Sequence, residues 1–161
     1  MKPSQITVVS AEDRGGAPEL ARFGVAFVRK RLTPDNLRQV LDKRIGKGDL
    51  VVNLSVEVAS MALVELCQEK GALYIDTCIE PWPGGYSDPS LPVSHRSNYA
   101  LREHMLAVRD KFKGGTTAVI AHGANPGLVS HFTKQALMNI ARDTGRATAT
   151  PTTRQGWAEL A

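Results

Sequence analysis

The chain has 161 residues, of which 42% are hydrophobic and 22% charged, a makeup that suits one folded globular domain and excludes a disordered chain. No apolar run approaches the roughly 20 residues that span a bilayer, and the apolar stretch behind the first five residues is too short for a secretory signal, so a cytoplasmic location and no membrane partner are expected. The net charge of +4 comes from small basic groups diluted by acids; they lack the aromatic interleaving of a nucleic-acid surface, and no nucleic-acid partner is expected.

The first β-branched run, residues 6–10, reads as a buried strand. It is followed by Glu12 and Asp13, and the glycines behind them, in GGAPEL, do not fit the GxGxxG phosphate loop. Acids at a strand end are instead the mark of the second strand of a dinucleotide fold, where a carboxylate meets the ribose. On this reading the first strand and its glycine loop lie upstream of Met1. A second strand is expected over 25–28 and a helix over 34–43, with Thr33 as its cap. A strand over 50–54 leads into a helix over 56–70 that stops at Gly71.

The pattern repeats with a strand over 73–75, a helix over 97–112 that stops before Gly114 and Gly115, and a strand over 117–121. Between the strand at 73–75 and the helix at 97 lies EPWPGGYSDPSLPVSH, residues 80–95, long and rich in breakers as functional loops often are. A helix over 126–144 follows Asn125 as its cap, with Pro126 at its first position and Leu128, Val129, Phe132, Ala136, Leu137 and Ile140 on one stripe. A breaker-rich stretch over 146–153 precedes a short helix over 154–160, capped by Thr152 or Thr153.

This alternation describes an α/β chain with an open, mostly parallel, doubly wound sheet of Rossmann-like type and right-handed crossovers, lacking its first strand and glycine-rich loop. Residues 1–145 would form a partial NAD-binding domain. Residues 146–161 would be a linker and the start of a further domain.

In such a sheet ligands sit outside the carboxyl ends of the strands. Three segments occupy those places: NLSVE at 53–57, DTCIEPW at 76–82 and HGANPG at 122–127. Asn53 and Ser55 suit a ribose or phosphate, as do the first amides of a helix starting at Val56, although the same residue types also serve as plain helix caps. Glu57, Asp76 and Glu80 place negative charge at this edge, which in a basic chain suits a cationic amine, with solvated surface acids as the plain alternative. Trp82 either offers its face to such a cation or packs the loop down.

Other chemistries find little support. Cys67 and Cys78 lie in apolar stretches without CxxC spacing and read as buried free thiols. His95, His104, His122 and His131 have no ligand spacing, so no metal is expected, and Ser130 in GLVSH lies inside a helix rather than at a nucleophile elbow.

VVNLSVEVAS, GALYIDTCIEPW, RSNYALRE and GGTTAVIAHGANPGLVSHFTKQAL together resemble the bacterial homospermidine synthases, a branch of the saccharopine dehydrogenase-like group. PTTRQGWAEL resembles them as well, and residues 1–49 only loosely. The resemblance implies an NAD-dependent aminobutyl transfer. Putrescine is oxidised to an imine, a second amine displaces ammonia, and the new imine is reduced to homospermidine.

It further implies Glu57, Glu80 and Asn125 as substrate contacts, and Asn53, Ser55, Thr77, Ala124 and Pro126 as lining of the cofactor groove, with catalytic roles unassigned. His122, just before GANPG, reads as the structural end of a strand. Family members are much longer than this chain and are expected to be homodimers, so the sequence reads as a central fragment unable to turn over alone. Ala11 stands where an acidic ribose ligand is common, with Glu12 one place later, which leaves ribose recognition and the choice of NAD over NADP open. The alternatives are a saccharopine dehydrogenase-like oxidoreductase acting on another amine or amino acid, and a non-catalytic Rossmann-like binding module.

Overall fold

The computed structural model describes residues 1–121, 123, 127–146 and 149–161, and within these the chain forms two compact units, 1–120 and 121–161. The first unit carries five strands: β1 (Thr7–Ser10), β2 (Ala26–Arg29), β3 (Leu50–Asn53), β4 (Leu73–Asp76) and β5 (Ala118–Val119). Every pairing is parallel, as the runs of β-branched residues predict.

The strands form two sheets, β1–β2 and β3–β4–β5. Among the described residues β1 has only β2 as a strand partner and β3 only β4, so each presents one edge without a described ladder. That is the geometry of a doubly wound sheet whose central place, between β1 and β3, is taken by no described strand. In β3–β4 the register sets Asn53 opposite Asp76, and so brings two polar residues together at the carboxyl ends.

Four helices accompany the strands: α1 (Ala17–Arg22), α2 (Leu37–Leu41), α3 (Ser60–Lys70) and α4 (Asn98–Lys111). Leu37, Val40 and Leu41 of α2, Leu63, Val64, Leu66 and Cys67 of α3, and Met105 and Val108 of α4 join Tyr74 of β4 in one core cluster. Val51 of β3 and Ala118 of β5 pack against it. These strand residues alternate with Leu50, Val52, Leu73, Ile75 and Val119, which point to the opposite face of the sheet and are exposed. The three-stranded sheet is therefore covered on one face and open on the other.

Helix ends follow the expected stop signals more closely than the starts. Gly71 closes α3 at φ 70°, a left-handed conformation in which glycine bears no Cβ penalty. Ser97 caps α4, its side chain accepting from the Ala100 amide at 3.3 Å. By contrast α3 starts at Ser60 rather than at Val56, because residues 54–59 form a loop in which Glu57 takes φ 60°. Likewise α2 starts at Leu37 rather than at Pro34, and Thr33 is no cap: its amide donates to Asn36 Oδ1 at 2.9 Å while residues 34–36 form a turn.

The second unit holds α5 (Val129–Asp143) and α6 (Arg154–Leu160). Gly145 follows α5 as expected, and Thr153 caps α6, accepting from the Gly156 amide at 3.1 Å. Of the predicted α5 stripe, Leu128, Val129, Phe132 and Ile140 are exposed. The expected start of this helix at Asn125 and Pro126 lies outside the described residues. No helix among the described residues is long and apolar enough to cross a membrane.

Candidate functional site

The carboxyl ends of β3 and β4 meet through buried hydrogen bonds. Tyr74 is 1% exposed and its phenol lies between two strand-end side chains. Asn53 Nδ2 donates to Tyr74 Oη at 3.0 Å, and Tyr74 Oη donates to Asp76 Oδ2 at 3.0 Å. The carbonyl end of the Asn53 amide accepts the Ser55 amide at 3.1 Å and the Ser55 hydroxyl as well. Asn53 is thus an internal brace of the β3 end. Asp76, expected at a charged surface, is buried beside Tyr74. Burial first, and then the charge of Asp76, push the Tyr74 phenol up from its ordinary range, against the lowering effect of the polar Ser60 and Asn53 side chains.

Ser60, the first residue of α3, is fully buried. Its amide donates to the Glu80 carbonyl at 2.9 Å, its hydroxyl accepts the Glu80 amide at 3.0 Å and donates to the Cys78 carbonyl at 3.3 Å. The segment after β4 is thereby fastened to the start of α3. One amide at that helix start faces a protein carbonyl, so fewer are open to an anion than a helix beginning at Val56 would offer.

This clamp holds Glu80 just past β4, while Glu57 stands exposed on the loop before α3, three residues from Ser60. The two acids therefore lie at the same end of the sheet, on segments joined through Ser60. Glu80 makes its charge felt by its neighbours: the Cys78 thiol is pushed up by partial burial and then by a hydrogen bond and the charge of Glu80, and the Tyr86 phenol by burial and then by the same charge. Cys78 is exposed, contrary to the expectation of a buried thiol, because it lies beyond the last residue of β4. Cys67 is buried, and burial pushes its thiol up to about 11.

The long loop is pinned at several points. Tyr86 Oη bonds the Ile79 carbonyl at 3.2 Å and Asn98 Oδ1 at 2.8 Å, tying the loop to the end of β4 and to the first residue of α4. A Cβ at Gly85 would stand 2.5 Å from Pro81 Cβ, so only glycine permits this turn. Trp82 packs against the core cluster, the plainer of its two expected roles. Sequence reasoning did not single out Ser60, Tyr74 or Tyr86; the register of Asn53 against Asp76 is the feature that would have drawn attention to Tyr74, two residues before Asp76 on the same face.

Of the residues expected to line a cofactor groove, Ser55 and Thr77 are exposed at the ends of β3 and β4, with Leu54 and Val56 exposed on either side of Ser55. Hydroxyls flanked by apolar side chains fit the sugar and ring surfaces of a dinucleotide. Ala124, Asn125, Pro126 and His122 lie outside the described residues.

The family profile of the saccharopine dehydrogenase NADP binding domain matches residues 1–119. The homospermidine synthase of Blastochloris viridis is 49% identical over 161 residues, an alignment covering 98% of this chain and 34% of that protein. The homospermidine synthase of Mesorhizobium japonicum is 42% identical over 162 residues, covering 98% of this chain and 33% of that protein. A crystal structure of the homospermidine synthase of Legionella pneumophila in complex with NAD matches with a TM-score of 0.63 and 42% identity, over 99% of this chain and 32% of that one. The chain spans about a third of the length of the curated relatives it matches.

Proposed function

We propose that this chain, which belongs to the family of saccharopine dehydrogenase NADP-binding domains, forms the nucleotide-binding part of an NAD-dependent homospermidine synthase. The observation that carries this reading is identity of 49% and 42% to two homospermidine synthases along 98% of the chain, joined to a likeness to an NAD-bound enzyme of the same name. The exposed hydroxyls and apolar side chains at the ends of β3 and β4 support it from the side of chemistry.

In the proposed site Ser55 and Thr77 face the coenzyme, with Ala124 and Pro126, while Asn53 holds the β3 end in shape from behind. Glu57, Glu80 and Asn125 contact the amine. The coenzyme would take a hydride from the amine-bearing carbon of putrescine and return it to the imine formed after a second putrescine has displaced ammonia. The chain's own contribution is binding and orientation: carboxylates at Glu57 and Glu80 attract and place a dication, and the Ser60 clamp fixes where Glu80 stands. For the whole enzyme we propose a homodimer, which rests on the resemblance, in the cytoplasm, which rests on the sequence pattern.

Calorimetric titration of the purified, folded chain with NAD, and separately with putrescine, tests the reading. Saturable NAD binding that Ser55→Ala or Thr77→Ala weakens supports the groove; a folded chain that binds putrescine equally well with and without Glu80→Gln overturns the amine site.

A further inference from the structure

We propose that Tyr74 is a positioning residue, a single buried hydroxyl that sets the coenzyme-facing end of β3 against the end of β4 that leads to the amine-facing segment. The functional meaning of the two ends rests on the reading above; the coupling between them rests on hydrogen bonds alone.

A phenol both donates and accepts, and at this position it does both. By accepting from Asn53 Nδ2 at 3.0 Å, Tyr74 decides which way the Asn53 amide faces. The carbonyl end then points to Ser55, whose amide it holds at 3.1 Å. Reversal of that amide would set an NH2 group against the Ser55 N–H, and the brace would be lost.

By donating to Asp76 Oδ2 at 3.0 Å, the same hydroxyl spans the β3–β4 register at its last pair, Asn53 opposite Asp76. Ser55 and Asp76, at the ends of different strands, are therefore joined through one buried atom. Phenylalanine would fill the same volume and keep the packing, yet it would remove the atom that orients Asn53 and meets Asp76.

Amide hydrogen exchange of the ligand-free chain, wild type against Tyr74→Phe, tests the coupling without a ligand. We expect protection of the Ser55 amide to fall by about tenfold, the scale of one buried hydrogen bond. General loss of stability moves the slowest core amides and leaves this strand-end amide as it was. Unchanged protection at Ser55, with core amides alone accelerated, would therefore overturn the proposal.

Ser60→Ala is the control: it frees the Glu80 amide from the Ser60 hydroxyl while Ser55 stays protected, and release of Ser55 there would overturn the assignment to Tyr74. Should Tyr74→Phe not fold, Asn53→Ala must release Ser55; failure defeats the coupling.

Titration with NAD then distinguishes this proposal from the one it rests on. A wild-type chain that binds no NAD, with the exchange result as expected, removes the coenzyme reading and leaves the coupling standing. Wild type and Tyr74→Phe binding NAD with equal affinity would refute Tyr74 as a positioning residue and leave the coenzyme reading intact. An affinity about tenfold weaker in Tyr74→Phe, with the number of binding sites per chain unchanged, supports both.

Discussion

The two faces of the β3–β4–β5 sheet are built from the same strands and differ in everything that matters for the site. On one face Val51, Tyr74 and Ala118 meet α2, α3 and α4 in the core cluster, and at its carboxyl end that face gives way to Asn53, Asp76 and Ser60. On the other, Leu50, Val52, Leu73, Ile75 and Val119 are exposed. The difference teaches that helix cover is what turns a strand end into a site. Only under α3 is there a low-dielectric space in which a phenol, an amide and a carboxylate hold one another at fixed distances.

The sharpest way to break the comparison is on the covered face. Leu66→Ala, at a side chain fully buried in α3, removes transferred surface and leaves a cavity; we expect a loss of about 2–5 kcal/mol in a denaturant titration. A loss below about 1 kcal/mol would mean that this face is no better packed than the open one.

Tyr74→Phe follows in size. It leaves Asn53 Nδ2 without its phenol partner and takes one hydrogen bond from Asp76, and the loss of buried hydrogen bonds of this kind costs about 1–3 kcal/mol. Thermal melts of wild type and variant measure it, and a variant more stable than wild type would show that the buried hydrogen bonds do not compensate for desolvation.

Alkaline titration distinguishes the faces by pH. Burial raises the Cys67 thiol from 9.0 to about 11 and also raises the Tyr74 phenol. Both groups therefore lose their protons at lower pH in the unfolded chain than in the folded one, and stability falls as pH rises from about 9 through 11. In Cys67→Ala that fall is shallower, read as the pH dependence of the urea midpoint. A wild-type midpoint that is flat over this range would place the thiol in water.

The smallest effect belongs to the open face. Val52 is 55% exposed, and Val52→Thr keeps the β-branched shape, so a change within about 0.5 kcal/mol is expected. A cost equal to that of Leu66→Ala would mean that the open face is covered in solution.

The sequence by itself determined most of the elements and their kind, α1 at Ala17–Arg22 being a helix it did not announce. β-branched runs marked all five strands within a residue or two at most ends, and Gly71, Gly114 and Gly145 marked where helices stop, because a left-handed residue after a helix is a local event that glycine alone permits cheaply. Ser97 and a threonine before Arg154 were legible as caps for the same local reason.

Helix starts were less legible. VEVAS reads as helix by pattern, and nothing local reveals that Glu57 adopts φ 60° and delays α3 to Ser60. The acids were legible as a group, but Asp76 proved buried and Cys78 exposed. Whether a side chain at a strand end turns inward depends on which helix covers that end, and the chain alone does not show it.

Tertiary structure alone decided the core of the site. A serine at the start of an apolar helix and a tyrosine inside a strand both read as ordinary packing, and neither carries a motif. Parallel pairing sets Asn53 opposite Asp76, with Tyr74 two residues back on the same face, and the cover of α3 brings Ser60 against them. Hydrogen bonds between residues about 20 positions apart, such as Asn53 to Tyr74 and Ser60 to Glu80, need a register and a packed helix before they can exist, and local sequence preferences carry neither.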